Sequence, residues 1–388
     1  MNAREDGNKL KRVSEQFGSG TMVLLSCPDT ITYATGIEFP FPASFPERPI
    51  ACLVHNPDSA LLVCPHEWGD AAKQQGWQGV VETYGDAESD SNRAVADLIA
   101  ANCASAGTAV TTIHYEADAI SYDLLIRLQD LCTGIQWQGA EDKIRQMRLQ
   151  KSDAEAAAMR TAAEQLEFGL IGAIQHLEGS LEENGYTLSE FCERIRVHVY
   201  ETGGTASGLS AVAAGRGLQQ WYGTPEGKFT PGELVRIEAS SRYYGYWANT
   251  ARMMVIGDAN ELQRRAYREN LLLKQTAASM LNPGVKCAAV FDELVQTAAE
   301  KGIEFRSEFG AGHGIGTGER EAPFLTAGDE TVLRAGMCIV LAIYTEGPQK
   351  ELVCTKDTYY LRETGPVCLS SFHNWDVLYE INGFRSAH

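Results

Sequence analysis

Around residues 140–150 the chain changes its rhythm, and that change constrains its fold more than any other feature. Before it, short apolar runs alternate with stretches of helical spacing. Residues 20–26 read as a strand, and residues 49–64 as two strands joined by a turn at 55–58, where Asn56-Pro57-Asp58 has turn chemistry. Residues 91–106 and 119–132 carry apolar side chains at helical spacing, with a further strand over 110–115. Such alternation specifies an α/β domain. After the change come longer helices with explicit start signals. Ser152 with Glu155, and Thr187 with Glu190, form capping boxes, in which hydroxyl and carboxylate satisfy the first free backbone N–H groups reciprocally. They predict helices over 152–176 and 191–200. A long hairpin over 234–256, turning around 242–244, follows. Helices over 261–280 and 288–301 come next, and strands over 337–344 and 352–361 end the pattern, which makes the second domain α+β. The expected domains are residues 1–145 and 146–388.

Charge narrows the function classes. With 51 acidic and 33 basic residues the net charge is −18, a field that repels phosphate backbones and anionic lipid. Neither nucleic acid nor membrane is an expected partner. No apolar stretch approaches the roughly 20 residues of a membrane span, and the first 18 residues are charged with no apolar segment, so a cytoplasmic location is expected. The ten cysteines are scattered through apolar runs without a Cys-x-x-Cys pair, and read as buried thiols of a reducing compartment.

Five motifs then occur in a telling order: Lys151-Ser152 with Met159-Arg160, Pro231-Gly232-Glu233-Leu234-Val235, Gly312-His313-Gly314-Ile315-Gly316, Arg334-Ala335-Gly336-Met337, and Asp357-Thr358. Together they resemble the M24 family, which includes methionine aminopeptidase, prolidase, aminopeptidase P and creatinase. The resemblance implies the creatinase/aminopeptidase fold, an α/β N-terminal domain plus an α+β pita-bread C-terminal domain. It also implies, for the family's peptidases, two divalent metals held by two Asp, one His and two Glu. Those five positions fall on Glu238, Asn249, His313, Ala342 and Lys356. One carboxylate and one imidazole remain, and Lys356 adds a cation where cations should bind. No metal and no cofactor is therefore expected.

The position of a further family histidine, the catalytic base of creatinase, falls on Trp221. Two glutamates that grip the guanidinium in creatinase fall on Ala251 and Ala342. Two stretches remain similar to creatinase: Ser44-Phe45-Pro46-Glu47-Arg48-Pro49, with one extra residue, and Glu319-Arg320-Glu321-Ala322.

The resemblance and the residue chemistry together assign candidate roles. Glu238 is the expected nucleophile or general base, or else an acid paired with Lys356 or Arg252. His313 is the expected proton shuttle or oxyanion donor, or else a remnant held by its glycine neighbours. Arg48, supplied by a partner subunit, and Arg320 would capture a carboxylate, which a guanidinium can fork bidentately. Phe45, Tyr222, Trp221, Asn249 and Lys356 complete the expected substrate-binding set. Cys338 and Cys354 are expected to be structural, and Glu308 and Glu321 are minor acidic candidates. The expected function is a metal-independent, creatinase-like hydrolase or lyase acting on a non-peptide C–N bond of a small carboxylate-bearing molecule, in a homodimer with a shared active site. The alternatives are a non-catalytic pita-bread binding module and an M24 Xaa-Pro peptidase whose metal ligands are lost.

Overall fold

The apolar runs before residue 140 become the strands of one mixed sheet. In the computed structural model, which describes residues 9–39, 47–56, 59–85, 90–105, 110–180, 187–213, 227–370 and 373–382, the chain divides into two compact units, Met1–Arg148 and Leu149–His388. The expected roles of Phe45, Trp221 and Tyr222, and the turn at 57–58, lie outside the described residues.

The first unit holds β1 (Thr21–Leu25), β2 (Ala51–Asn56), β3 (Ser59–Pro65), β4 (Val80–Tyr84), β5 (Thr112–Tyr115) and β6 (Gln136–Gly139), in the order β4-β3-β2-β1-β5-β6. The β1–β2 and β2–β3 pairs are antiparallel and the rest parallel. Val23 and Leu25 pack into one core layer, and Met22 and Leu24 into another on the opposite face. Burial on both faces is why the sequence of these strands shows unbroken apolar runs rather than alternation. Among the described residues six helices accompany the sheet: α1 (Lys9–Phe17), α2 (Pro28–Thr35), α3 (His66–Gln74), α4 (Ser91–Ser105), α5 (Tyr122–Leu131) and α6 (Glu141–Leu149).

The second unit opens with the two capped helices. In α7 (Asp153–Ser180) Ser152 N donates to Glu155 and Glu155 N to Ser152 Oγ; α8 (Leu188–Glu201) starts on the same exchange between Thr187 and Glu190. Two more helices follow, α9 (Glu261–Met280) and α10 (Cys287–Lys301). The strands are β7 (Ala206–Ala213), β8 (Leu234–Tyr243), β9 (Tyr246–Ile256), β10 (Gly312–Gly314), β11 (Glu321–Phe324), β12 (Cys338–Glu346), β13 (Leu352–Arg362), β14 (Gly365–Cys368) and β15 (Tyr379–Ile381). They form a nine-stranded sheet with the path β11-β10-β12-β13-β9-β8-β7; β14 pairs with β13 and β15 with β9.

Alternate side chains of this sheet face opposite ways. Leu341 and Ile343 of β12 join the core made with Leu273 and Ala277 of α9 and Val290 and Leu294 of α10. On the same face Arg252 meets Glu167 of α7 at 2.8 Å and Asp357 at 2.7 Å, and Lys274 of α9 meets Asp357 at 2.5 Å. This is the helix-covered face. No helix among the described residues is long and apolar enough to cross a membrane. All ten cysteines are free thiols, eight of them buried.

Candidate functional site

Strand register places the site residues. Glu238 stands opposite Ala251, Ala251 opposite Lys356, and Lys356 opposite Ala342. Cross-strand partners point to the same face, so these four form one row across β8, β9, β13 and β12. Two residues along, Ser240 stands opposite Asn249 and Val340 opposite His313, while Thr358 Oγ1 donates to Asn249 O at 3.2 Å. On the other side of the first row lie Arg236, opposite Met253, and Tyr344, opposite Cys354. Glu238, Asn249, His313, Ala342 and Lys356 thus share two adjacent rows on the face opposite the helices.

The centre of that face is a charge cluster. Lys356 Nζ donates to Glu238 Oε2 at 2.5 Å, and Tyr344 Oη donates to the same oxygen at 3.2 Å. Arg236 Nε lies 3.0 Å from Glu238 Oε1. All four side chains are buried. Burial, reinforced by Cys354 and the Glu238 charge, pushes the Tyr344 phenol far above its ordinary value, so it stays protonated and donates. Glu238 Oε2 therefore accepts from an ammonium and a phenol, and Oε1 lies against the Arg236 guanidinium as an ion pair. That is the setting of an anion holding cations rather than of a carboxylate open to a reacting group.

His313 is positioned by its glycines. A Cβ on Gly312 would stand 2.1 Å from Val340 O, and one on Gly314 would stand 2.1 Å from Ala322 O. Only glycine fits there, and Gly312 also has a φ of 151°. β10 is thereby pressed between β12 and β11 with the imidazole as its single side chain. His313 Nδ1 lies 2.9 Å from Gly314 O. A carbonyl only accepts, so Nδ1 carries the hydrogen and Nε2 is left as an acceptor. Burial outweighs that bond and, with the Arg320 and Lys356 charges, brings the imidazole down to about 4. His313 is neutral at pH 7.

The remaining candidates disperse. Asn249 is half-buried in the second row. Arg320 is exposed, with its guanidinium 5.3 Å from the Phe324 ring centroid. Arg48 is paired with Glu67 and lies 5.6 Å from the Trp68 ring, all within the first unit. Glu321 accepts from Lys151 at 2.6 Å and Glu308 from Arg306 at 2.7 Å. Burial pushes the Cys338 and Cys354 thiols up to about 12, so neither is a thiolate at neutral pH. Of the two expected partners of Glu238, Lys356 is present, but Arg252 faces the helices because it stands opposite Ile237. Arg236 and Tyr344 were not singled out from the sequence. Each lies two residues from a site position, Glu238 and Ala342, on the same strand face, and that alternation was the available signal.

The two-metal site implied by the resemblance can now be tested against these residues. It needs carboxylates from several strands. Here one carboxylate, already bonded to two cations, stands with a neutral imidazole, an amide, a methyl group and an ammonium. Among the described residues no group of three or more His, Cys, Asp or Glu could hold a metal ion. The residues do not fit two divalent ions.

Known proteins give the context. The model of metallopeptidase family M24 matches residues 155–363, and that of the creatinase/prolidase N-terminal domain matches residues 18–150. A Xaa-Pro dipeptidase of Lactobacillus delbrueckii subsp. lactis is 24% identical over 332 residues, 83% of this chain and 86% of that protein. A putative dipeptidase of Bacillus subtilis (strain 168) is 23% identical over 376 residues, 94% of this chain and 98% of its own length. The X-Pro aminopeptidase structure from Thermotoga maritima MSB8 matches with a TM-score of 0.82 at 17% identity, covering 96% of this chain and 99% of that one, a likeness of fold. These findings correct the expected reaction. The first relative is named for Xaa-Pro dipeptides and the second for dipeptides, neither for a non-peptide C–N bond or a creatinase-like, metal-independent hydrolysis. They favour the Xaa-Pro peptidase alternative over that main reading.

Proposed function

The chain belongs to metallopeptidase family M24, a family of hydrolases, and from that premise we propose that its second unit acts on dipeptides of the Xaa-Pro class. One observation carries the reading. Glu238, Asn249, His313 and Lys356, onto which the resemblance carries the family's site positions, lie on two adjacent rows of one sheet face. Their chemistry suits a dipeptide. Lys356 supplies positive charge toward a carbonyl or carboxylate oxygen, His313 Nε2 accepts from an N–H, and the Asn249 amide can do either. Arg320 is the candidate for the terminal carboxylate, being exposed and near enough to His313 to depress its pKa. The homodimer with a shared site is not carried further, because Arg48 is engaged with Glu67 and Trp68.

A second reading, binding without turnover, is favoured by one specific observation: Glu238 is held by Lys356, Arg236 and Tyr344. Calorimetric titration with Xaa-Pro dipeptides, run beside a proline-release assay, tests both. Saturable binding at one site is expected, with a ligand at one hundred times its dissociation constant stabilising the fold by about 2.7 kcal/mol. Release of proline in proportion to protein supports hydrolysis; binding without release supports the second reading. If no Xaa-Pro dipeptide binds at millimolar concentration, the dipeptide reading is wrong.

A further inference from the structure

The row Glu238, Ala251, Lys356, Ala342 has a spacing that explains how its charges meet. Glu238 and Lys356 sit on strands separated by β9. Neighbouring strands lie about 4.7–4.9 Å apart, so the two backbones are about 9–10 Å from each other. A lysine and a glutamate can close that gap only by reaching over the residue between them. That residue is Ala251, whose methyl group leaves the path open, and the two side chains meet at 2.5 Å. On the other side of Lys356 stands Ala342, a second small residue in register. Behind the row, Arg252 Nη1 donates to Lys356 O at 2.6 Å, so the helix-covered face fixes the lysine backbone.

We propose that the Lys356 ammonium takes the place of the metal ions in this M24 unit, completing the charge cluster around Glu238 and leaving no divalent-cation site among the described residues of this face. A divalent ion must bring several oxygen or nitrogen ligands to about 2.0–2.6 Å. Any ion approaching Glu238 Oε2 meets the ammonium 2.5 Å from that oxygen, and the Arg236 guanidinium stands 3.0 Å from Oε1. Both repel it. His313 Nε2 can still ligate, but Asn249 and Ala342 bring no negative charge. The ammonium therefore replaces the ion both sterically and in sign. The inference goes beyond the dipeptide reading, and its test uses no dipeptide, so either can fail without the other.

The test is metal uptake by the full chain, stripped with chelator, tag-free and titrated with Mn²⁺, Co²⁺ and Zn²⁺ by calorimetry and equilibrium dialysis. No stoichiometric uptake is expected below about 1 mM free ion, far weaker than a built transition-metal site. Uptake of one or two ions per chain at micromolar concentration overturns the proposal. The combined variant Asn249→Asp, Ala342→Glu, Lys356→Glu removes the cation and adds three carboxylates to the same two rows. It is expected to take up Mn²⁺ or Co²⁺ at least about 100-fold more tightly than the parent, with a melting temperature that rises on adding metal. If the folded variant takes up no more metal than the parent, Lys356 is not what excludes the ion and the proposal falls. Should that variant not fold, the parent titration decides alone.

Discussion

The two faces of the nine-stranded sheet solve the same problem, buried charge, in different ways. On the helix-covered face Arg252 and Lys274 meet Glu167 and Asp357, two cations against two carboxylates, contributed by the sheet and by two helices. His373 N donates to the second Glu167 oxygen at 2.9 Å, and the Arg252 guanidinium lies 5.3 Å from the Trp375 ring. On the other face a single carboxylate, Glu238, gathers two cations and a phenol from three strands. The first network ties helices to sheet and is arranged as a cross-brace. The second ties only strands together and stands where the proposed site lies. The difference teaches that buried ion pairs in one sheet need not share a partnership: one network joins packed helices to the sheet, the other joins only strands within one face.

The comparison breaks most sharply if the brace is removed. Arg252→Met leaves Glu167 and Asp357 buried beside fewer cations, and should cost about 3–5 kcal/mol in urea unfolding. A loss below about 1 kcal/mol would show that this face is not the architectural one.

The next effect is a pH dependence. His313 titrates at about 4 in the folded protein against 6.5 for an unperturbed imidazole. The unfolded chain therefore takes up the proton first as pH falls. Stability is full above about pH 6.5 and declines toward pH 4, by about 3 kcal/mol from this group alone. In His313→Asn the difference in unfolding free energy between pH 7.5 and pH 4.5 should shrink by about 2–3 kcal/mol relative to wild type. An unchanged pH slope would contradict the buried, neutral imidazole.

A smaller effect sharpens the site face. In a double-mutant cycle of Glu238→Gln and Lys356→Met, the coupling free energy should be about 1–3 kcal/mol, as for groups in direct contact in one network. Additive losses would mean that the pair is not formed in solution. Smallest of all, Thr358→Val on the site face removes the hydrogen bonds of Thr358 Oγ1 to Asn249 O and from Asn249 N and should cost about 1–2 kcal/mol in thermal unfolding, and Thr355→Val on the helix face removes the one to Asn270 Oδ1 and should cost about 1 kcal/mol.

Much of the second unit was legible because its helices announce themselves chemically. The helix over 261–280 has the expected limits, and both expected capping boxes form. The hairpin was expected to turn around 242–244 but reverses at Tyr244 and Gly245, whose φ values of 47° and 82° provide the paired left-handed residues of a tight two-residue turn. β10, β11, β14 and β15 gave no signal because they span three or four residues, too few for alternation to show. β7 reads Ala-Ser-Gly-Leu-Ser-Ala-Val-Ala, small residues with little period. For the candidate site, motif order singled out Glu238, Asn249, His313 and Lys356, and these share one face because in a sheet the register fixes direction. Arg48 and Arg320 were not legible in the same way. Their side chains leave irregular segments, where no period dictates what they meet, and one settled on Glu67 and Trp68 while the other lies over Phe324.

The alternation along β13 also bears on how this protein can change over evolutionary time. Lys356 and Asp357 are consecutive, and each serves the opposite face. A single-codon change upstream in that strand would, unless the strand absorbed it in a bulge, move both: a deletion would bring Asp357 to confront Glu238 and put Thr358 in its former place, and an insertion would take Lys356 from Glu238 and bring it to confront Arg252 and Lys274. Either way one face would bring like charges together and the other would lose its ion pair. Point substitutions can reach the two faces independently, whereas changes in length here are read by both at once. Lineages carrying this pair should accumulate indels in the connections between strands and almost none within β13.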